Sequence, residues 1–150
     1  MSSRLFPVLL LTAALAFACG PRSRANEPEV GTRSRTSGQP LASSLDVRVA
    51  DGVRFALHVT NEAQKSLELT FPDGQTHDIV VLDAAQREVW RWSDGRMFTQ
   101  ALQTRVLDED ETASYEAAWP ARSVHGAFTA VASLRSENHP VEQRVRFVIP

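Results

Sequence analysis

Phe71-Pro72-Asp73-Gly74-Gln75-Thr76-His77-Asp78-Ile79-Val80-Val81-Leu82-Asp83 and, beyond residues 84–86, Glu88-Val89-Trp90-Arg91-Trp92-Ser93-Asp94-Gly95-Arg96-Met97-Phe98-Thr99-Gln100-Ala101-Leu102 decide the fold of this chain. Upstream of them Leu67, Leu69 and Phe71 alternate with Ser66, Glu68 and Thr70. A period of two places the apolar set on one face of a strand. Pro72 lacks a backbone donor and Gly74 takes φ > 0 without steric cost, so 72–75 reads as a turn. Ile79 to Leu82 is continuously apolar and rich in β-branched residues, which predicts a strand covered on both faces. Residues 84–86 are the next connection. Val89, Trp90 and Trp92 form a third strand. Trp90 and Trp92 share a face and belong to the core, while Arg91 points to solvent. Asp94-Gly95 turns the chain again.

The same pattern extends in both directions. Leu45, Val47 and Val49 make a strand, Asp51-Gly52 marks a hairpin, and Val53, Phe55, Leu57 and Val59 return. Residues 98–107 are extended but irregular, and Asp108-Glu109-Asp110-Glu111 is an acidic turn. Ala113, Tyr115 and Ala117 lead to Trp119-Pro120. Residues 128–134 and a strand carrying Val145, Phe147 and Ile149 complete the set. No segment has a helical period. Short strands with regular turn signals predict an all-β fold, an immunoglobulin-like antiparallel β-sandwich over residues 45–150. Counting chain reversals places turns 51–52, 72–75, 93–96 and 120–126 at one end. Loops 61–64, 84–86, 108–111 and 136–140, with the entering N-terminal segment, fall at the other.

The N-terminus reads differently. Arg4 precedes an apolar run from Leu5 to Phe17, interrupted by Pro7 and Thr12. That run is short of the ~20 residues a membrane-spanning helix needs. A basic start, an apolar centre and small residues at the end make 1–18 an export signal. Ala16-Phe17-Ala18-Cys19 is similar to the lipobox of bacterial lipoproteins, with Ala16 where Leu is usual. The expectation is a lipidated Cys19, held in the cell envelope by more than one acyl chain. In a Gram-negative host that means the outer membrane. The alternative is cleavage at the A-x-A site to give a soluble secreted protein. Cys19 is the lone cysteine, so no intramolecular disulfide forms. Residues 19–44 are polar, rich in Pro, Gly, Ser, Thr and Arg, and read as a flexible tether.

Charge narrows the partners. Residues 20–44 hold four Arg and two Glu, for +2, whereas 45–150 hold eleven Lys/Arg against sixteen Asp/Glu, for −5. An acidic domain argues against nucleic acid. His58, His77, His125 and His139 have no metal-ligand spacing, and 108–111 lacks the pattern of a calcium loop, so no metal or cofactor is expected. Ser93 lies in no G-x-S-x-G motif and no glycine-rich phosphate loop exists. The expectation is a non-enzyme.

The stretch quoted first resembles the BsuPI-type intracellular proteinase inhibitor family. The matching residues are Phe71, the Asp73-Gly74-Gln75 turn, Asp78, Val81, Asp83, the run Glu88 to Ser93, and Phe98-Thr99-Gln100-Ala101-Leu102. Asn61 and Trp119 also fit, and His77 stands where the family usually shows an aromatic such as Tyr. Phe71, Asp78, Trp90, Trp92, Phe98 and Thr99 are taken as structural positions of the motif. The resemblance implies a protease partner and a rigid loop or edge strand that fills the protease cleft. The candidate contact residues are Asp73, Gly74, Gln75, Ser93, Asp94, Gly95, Arg96 and Met97, with Arg96 and Met97 outermost. A second expectation is a structural or assembly lipoprotein that holds another envelope protein without inhibiting anything.

Overall fold

The structure, a computed structural model, describes residues 29–34 and 39–150. The expected export signal, Cys19 and the rest of the expected tether lie outside the described residues. Ten strands are present and no helix occurs among the described residues. They are β1 (Glu29–Ser34), β2 (Leu41–Val49), β3 (Val53–Asn61), β4 (Leu67–Phe71) and β5 (His77–Leu82). The others are β6 (Glu88–Arg91), β7 (Gln103–Leu107), β8 (Thr112–Trp119), β9 (Gly126–Leu134) and β10 (Val141–Ile149).

One antiparallel sheet has the order β1-β2-β3-β8 and the other β10-β9-β5-β6. Their inner faces share one core. Leu45, Val47, Phe55, Leu57, Ala113 and Tyr115 come from the first sheet, and Ile79, Val81, Ala130, Val145 and Phe147 from the second. The period-two residues of β3, β4, β8 and β10 are the buried ones, as the alternation predicts. Phe55 stacks on Trp90 with ring centroids 5.8 Å apart and meets Phe147 edge-on at 5.9 Å. Such pairs add ~0.5–1.5 kcal/mol beyond area burial. The fold is an all-β sandwich.

Four expectations need correction. The tether was drawn too long: β1 pairs with β2 from Glu29↔Arg48 to Ser34↔Ser43, and β2 begins at Leu41. A ladder at the sheet edge is held by backbone hydrogen bonds, so β1 needs no apolar period to form. The run 79–82 is not covered equally on both faces: Ile79 and Val81 are sealed, while Val80 and Leu82 are half-buried. Segment 98–107 is not irregular throughout, since β7 pairs with β4 in a separate two-stranded ladder.

That ladder explains the fourth correction. β4 does not reverse against β5 within one sheet but carries the chain from the first sheet to the second. The Thr70 carbonyl accepts from the Glu137 N–H, the Thr70 N–H donates to Asn138 Oδ1, and the Thr76 carbonyl accepts from the Arg135 N–H. Turns 72–75 and 92–96 therefore lie with loops 61–66, 108–111 and 135–140, and hairpin 83–87 lies at the end of turn 50–52. β1 enters at that latter end, where Glu29 faces Arg48. A count of reversals cannot see a strand that changes sheets.

Candidate functional site

Asp78, at the second position of β5, is the centre of the site, and it is 5% exposed. Its Oδ2 accepts from Arg91 Nη1 at 2.6 Å and from the Ser93 hydroxyl at 3.0 Å. Its Oδ1 accepts from the N–H groups of Ile79 at 2.9 Å and Ser93 at 3.3 Å. A carboxylate with so many donors is a charge-assisted hub. Arg91 is thus not a solvated side chain as the strand period implied. It donates to Asp78 and, through Nε and Nη2, to both carboxylate oxygens of Glu88, which keeps its guanidinium firmly charged. The strand ends at Arg91, and the turn 92–95 closes with the Arg96 N–H on the Ser93 carbonyl at 3.1 Å. Gly95 has φ +71°, the left-handed region where a side chain is strained.

Trp92 is the plate on which the next residues rest. Arg96 Nε donates to its carbonyl at 2.7 Å, and the Arg96 guanidinium lies 4.5 Å from the indole centroid. The Phe98 ring is 5.7 Å away and the His77 ring 4.1 Å. Both sides of Met97 are thereby fixed while Met97 itself is 98% exposed. Thr99 is pinned through its carbonyl, which accepts from the Gly74 N–H at 2.8 Å. Gly74 is needed here for close approach, not for positive φ, which it lacks. A Cβ at that position would stand 2.6 Å from Thr99 Oγ1 and 3.1 Å from Thr99 N. The Asp73-Gly74 turn is therefore joined to the segment that follows the Asp94-Gly95 turn. Asp73 Oδ1 caps the first turn by accepting from the Gln75 N–H at 2.7 Å, and Gln75 in turn accepts from Arg135.

From Arg96 to Leu102 there is no strand, yet the segment is braced by its own side chains. Gln100 Nε2 donates to the Phe98 carbonyl and Gln103 Nε2 to the Ala101 carbonyl. The result is a protruding segment with a fixed base and an apolar edge: Met97, then Leu102 and Val106, are among the exposed large hydrophobic residues. Arg96 is exposed, with its guanidinium held on Trp92. Asp94 and Gly95 are exposed at the turn, and Ser93 is half-buried under Asp78. Of the motif positions, Phe71 is buried, Trp90 stacks on Phe55 and Trp119, and Trp92, Phe98 and Thr99 form the base just described.

His77 sits beneath this base. It is 9% exposed, its ring is 5.0 Å from that of Tyr115, and its Nε2 has no hydrogen-bond partner. Burial lowers its pKa from 6.5 to about 4, with Asp78 opposing and Arg96 reinforcing the shift. Between about pH 6.5 and pH 4 the unfolded chain takes up a proton that folded His77 refuses, so stability falls as pH drops through that window. Replacing His77 by Phe removes both the orphaned nitrogen and this proton uptake. His77→Phe is expected to gain about 1 kcal/mol at pH 7. The difference in Tm between variant and parent should widen toward pH 4.5. Thermal melts across that range check it, and a constant difference would rule out the linkage.

The sequence did not show one further arrangement. On the outer face of the first sheet His58 accepts or donates at Nδ1 to the Ser114 hydroxyl, 2.8 Å away, and its Nε2 is 3.2 Å from Asp46 Oδ2. An open cleft of about 670 Å³ runs from this row past Arg48, Arg54 and Glu116 to Trp92 and Arg96. The order Ser-His-Asp looks catalytic, but strand register alone produces it. His58 lies directly across from Ser114, and Asp46 is its diagonal neighbour on β2. No group of three or more His, Cys, Asp or Glu residues able to hold a metal occurs among the described residues.

Residues 41–139 match the family described as BsuPI, intracellular proteinase inhibitor. No curated protein sequence matches the chain. Among solved structures the chain is similar to the β-glucosidase EmGH1 from Erythrobacter marinus, at 14% identity and a TM-score of 0.37, covering 68% of this chain and 14% of that one. It is also similar to a Bordetella pertussis protein assigned as ApaA, at 13% identity and a TM-score of 0.35, covering 81% and 89% of the two chains. The chain thus spans a small part of the glucosidase.

Proposed function

The chain belongs to the BsuPI family of intracellular proteinase inhibitors, and on that premise we propose that it is a non-catalytic protease-binding protein whose contact element is the segment 93–102. The observation that carries this reading is Met97, 98% exposed between two residues that are both held on Trp92. A segment already ordered in its bound shape loses little entropy when it enters a cleft. A flexible segment of the same sequence would be cut as a substrate. Turn 72–75 supports the segment through Gly74 and Thr99 and forms the flank of the contact surface.

Met97 sets the class of protease. Its unbranched apolar side chain suits a deep, uncharged primary pocket of the chymotrypsin or subtilisin kind, not the acidic pocket of trypsin. The purified protein is expected to inhibit an enzyme with such a pocket and to stay intact by mass after incubation. Met97→Arg should weaken that inhibition at least about tenfold. Inhibition of no serine protease in a panel, or simple digestion of the segment, would remove the reading. Lost inhibition would leave the envelope-assembly reading, in which the same apolar edge holds another envelope protein.

Export is part of the proposal. Its support is the sequence of residues 1–19: Arg4, the apolar run and Ala16-Phe17-Ala18-Cys19. A lipid on Cys19 would hold the inhibitor in the envelope and direct it at proteases outside the cytoplasm. Cells expressing the full chain should incorporate labelled fatty acid into it, and Cys19→Ser should release it from the membrane fraction. Equal labelling of parent and variant would exclude Cys19 as the lipid site.

A further inference from the structure

Met97 has a second property that its place on the segment makes consequential. The chain contains two methionines, Met1 and Met97, and Met1 lies outside the described residues. Met97 is 98% exposed, so no neighbour screens its sulfur from solvent. Thioether oxidation is governed by such access. Around it the side chains are chemically inert to mild peroxide: Arg96 on one side, Phe98 on the other. The most accessible oxidisable sulfur of the folded domain is thus also its outermost apolar contact residue.

We propose that Met97 is an oxidation site that switches the protein's protease binding off. The inference rests on the inhibitory role proposed for segment 93–102. In the step itself the Met97 thioether gives two electrons to a peroxide. The O–O bond breaks, one oxygen bonds to sulfur as the sulfoxide, and the other leaves as water. An apolar side chain becomes a strongly polar one. A deep uncharged pocket that accepts the thioether has no donors for a sulfoxide oxygen, so seating it there leaves a polar group buried and unpaired. Because Met97 supports no packing, the fold is unaffected, and reduction of the sulfoxide restores the original surface.

The geometry separates this from general oxidative damage. Oxidation of a buried methionine would unsettle the core. Here Trp92, Phe98 and the Gly74–Thr99 bond hold the segment whatever the state of the sulfur. Binding and stability are therefore predicted to part company.

The test treats the purified protein with hydrogen peroxide, locates the added oxygen by peptide mass, and measures inhibition of a protease with an apolar primary pocket before and after. The expected result is one oxygen at Met97, an unchanged Tm and at least a tenfold loss of inhibition. Methionine sulfoxide reductases supplied with a dithiol, which is oxidised to its disulfide as the sulfoxide oxygen leaves as water, should restore the inhibition. Met97→Leu, whatever its starting affinity, should keep that affinity through the treatment. If the fully oxidised protein inhibits as well as the reduced one, the switch is wrong and the inhibitor reading stands. A Met97 that resists peroxide at doses that oxidise free methionine also overturns the switch. If the reduced protein inhibits no protease of the panel, both fall together.

Discussion

Asn61→Ala is expected to lower stability by about 3 kcal/mol, with a drop in Tm on the order of 10 °C. Asn61 is fully buried at the end of β3. Its Nδ2 donates to the carbonyls of Lys65 at 2.8 Å, Leu107 at 3.0 Å and Asp108 at 3.0 Å. Two protons serve three acceptors, so one is shared. Its Oδ1 accepts from the Ala63 N–H at 2.9 Å, and its backbone N–H and carbonyl pair with Glu111 and Asp110. Truncation to Ala removes the side-chain bonds and leaves the buried Leu107 carbonyl without this donor. Asn61→Asp should be about as damaging, because a carboxylate has no N–H to give. Urea melts of the two variants decide the matter. A loss below 1 kcal/mol in both would show that the carbonyls find other partners.

The effect reaches the contact segment. Leu107 pairs with Leu67 at the start of the β4–β7 ladder, and β7 is where segment 96–102 ends. Asn61 thus holds the far end of β7, while the C-terminal end of the segment runs into the Phe71↔Gln103 pair and its N-terminal end is held by Asp78 through Ser93. Neither anchor touches Met97.

How much of this could be read from the sequence depended on the range of each interaction. β3, β4, β8 and β10 were legible because one face of each packs on the core, and a period of two follows directly from the backbone. β1 was not, since backbone pairing at a sheet edge imposes no side-chain pattern. The packing of Trp90 and Trp92 against the core was legible from their spacing, but Trp92 lies in the turn after β6 and both are only partly buried. The engagement of Arg91 was not, because the period only says which way a side chain points, and its partner Asp78 lies thirteen residues away on the neighbouring strand. The two Asp-Gly turns were visible one at a time. The bond from Gly74 to Thr99, beyond the second turn, depends on β4 crossing between the two sheets in its own ladder with β7, which no local signal announces. Nor could the alternation show that Trp92 ties down Arg96 and leaves Met97 alone. That result depends on χ angles and on a bond from Nε to a carbonyl four residues back.

Asp78→Ala is expected to cost about 3 kcal/mol and to weaken protease inhibition under conditions where the variant remains folded. Breaking a buried ion pair from one side is more damaging than removing both partners, because the survivor keeps its desolvation penalty without its counter-charge. Arg91 is about one third exposed and retains Glu88, which moderates the loss. The Ser93 hydroxyl and N–H lose their acceptor at the same time, and Ser93 opens the turn that delivers Arg96 and Met97. Stability and function are therefore lost by one substitution for two reasons, and they can be separated. Asp78→Ala combined with Arg91→Met should recover part of the stability, since an apolar side chain suits the half-buried site. It should recover none of the inhibition, because Ser93 still lacks its acceptor. A double-mutant cycle on urea-derived free energies should give a coupling between Asp78 and Arg91 of about 1–3 kcal/mol. If the double variant regains inhibition together with stability, Asp78 acts on the segment only through the fold. If inhibition stays low in a protein restored to near-parent stability, Asp78 positions the contact segment through Ser93.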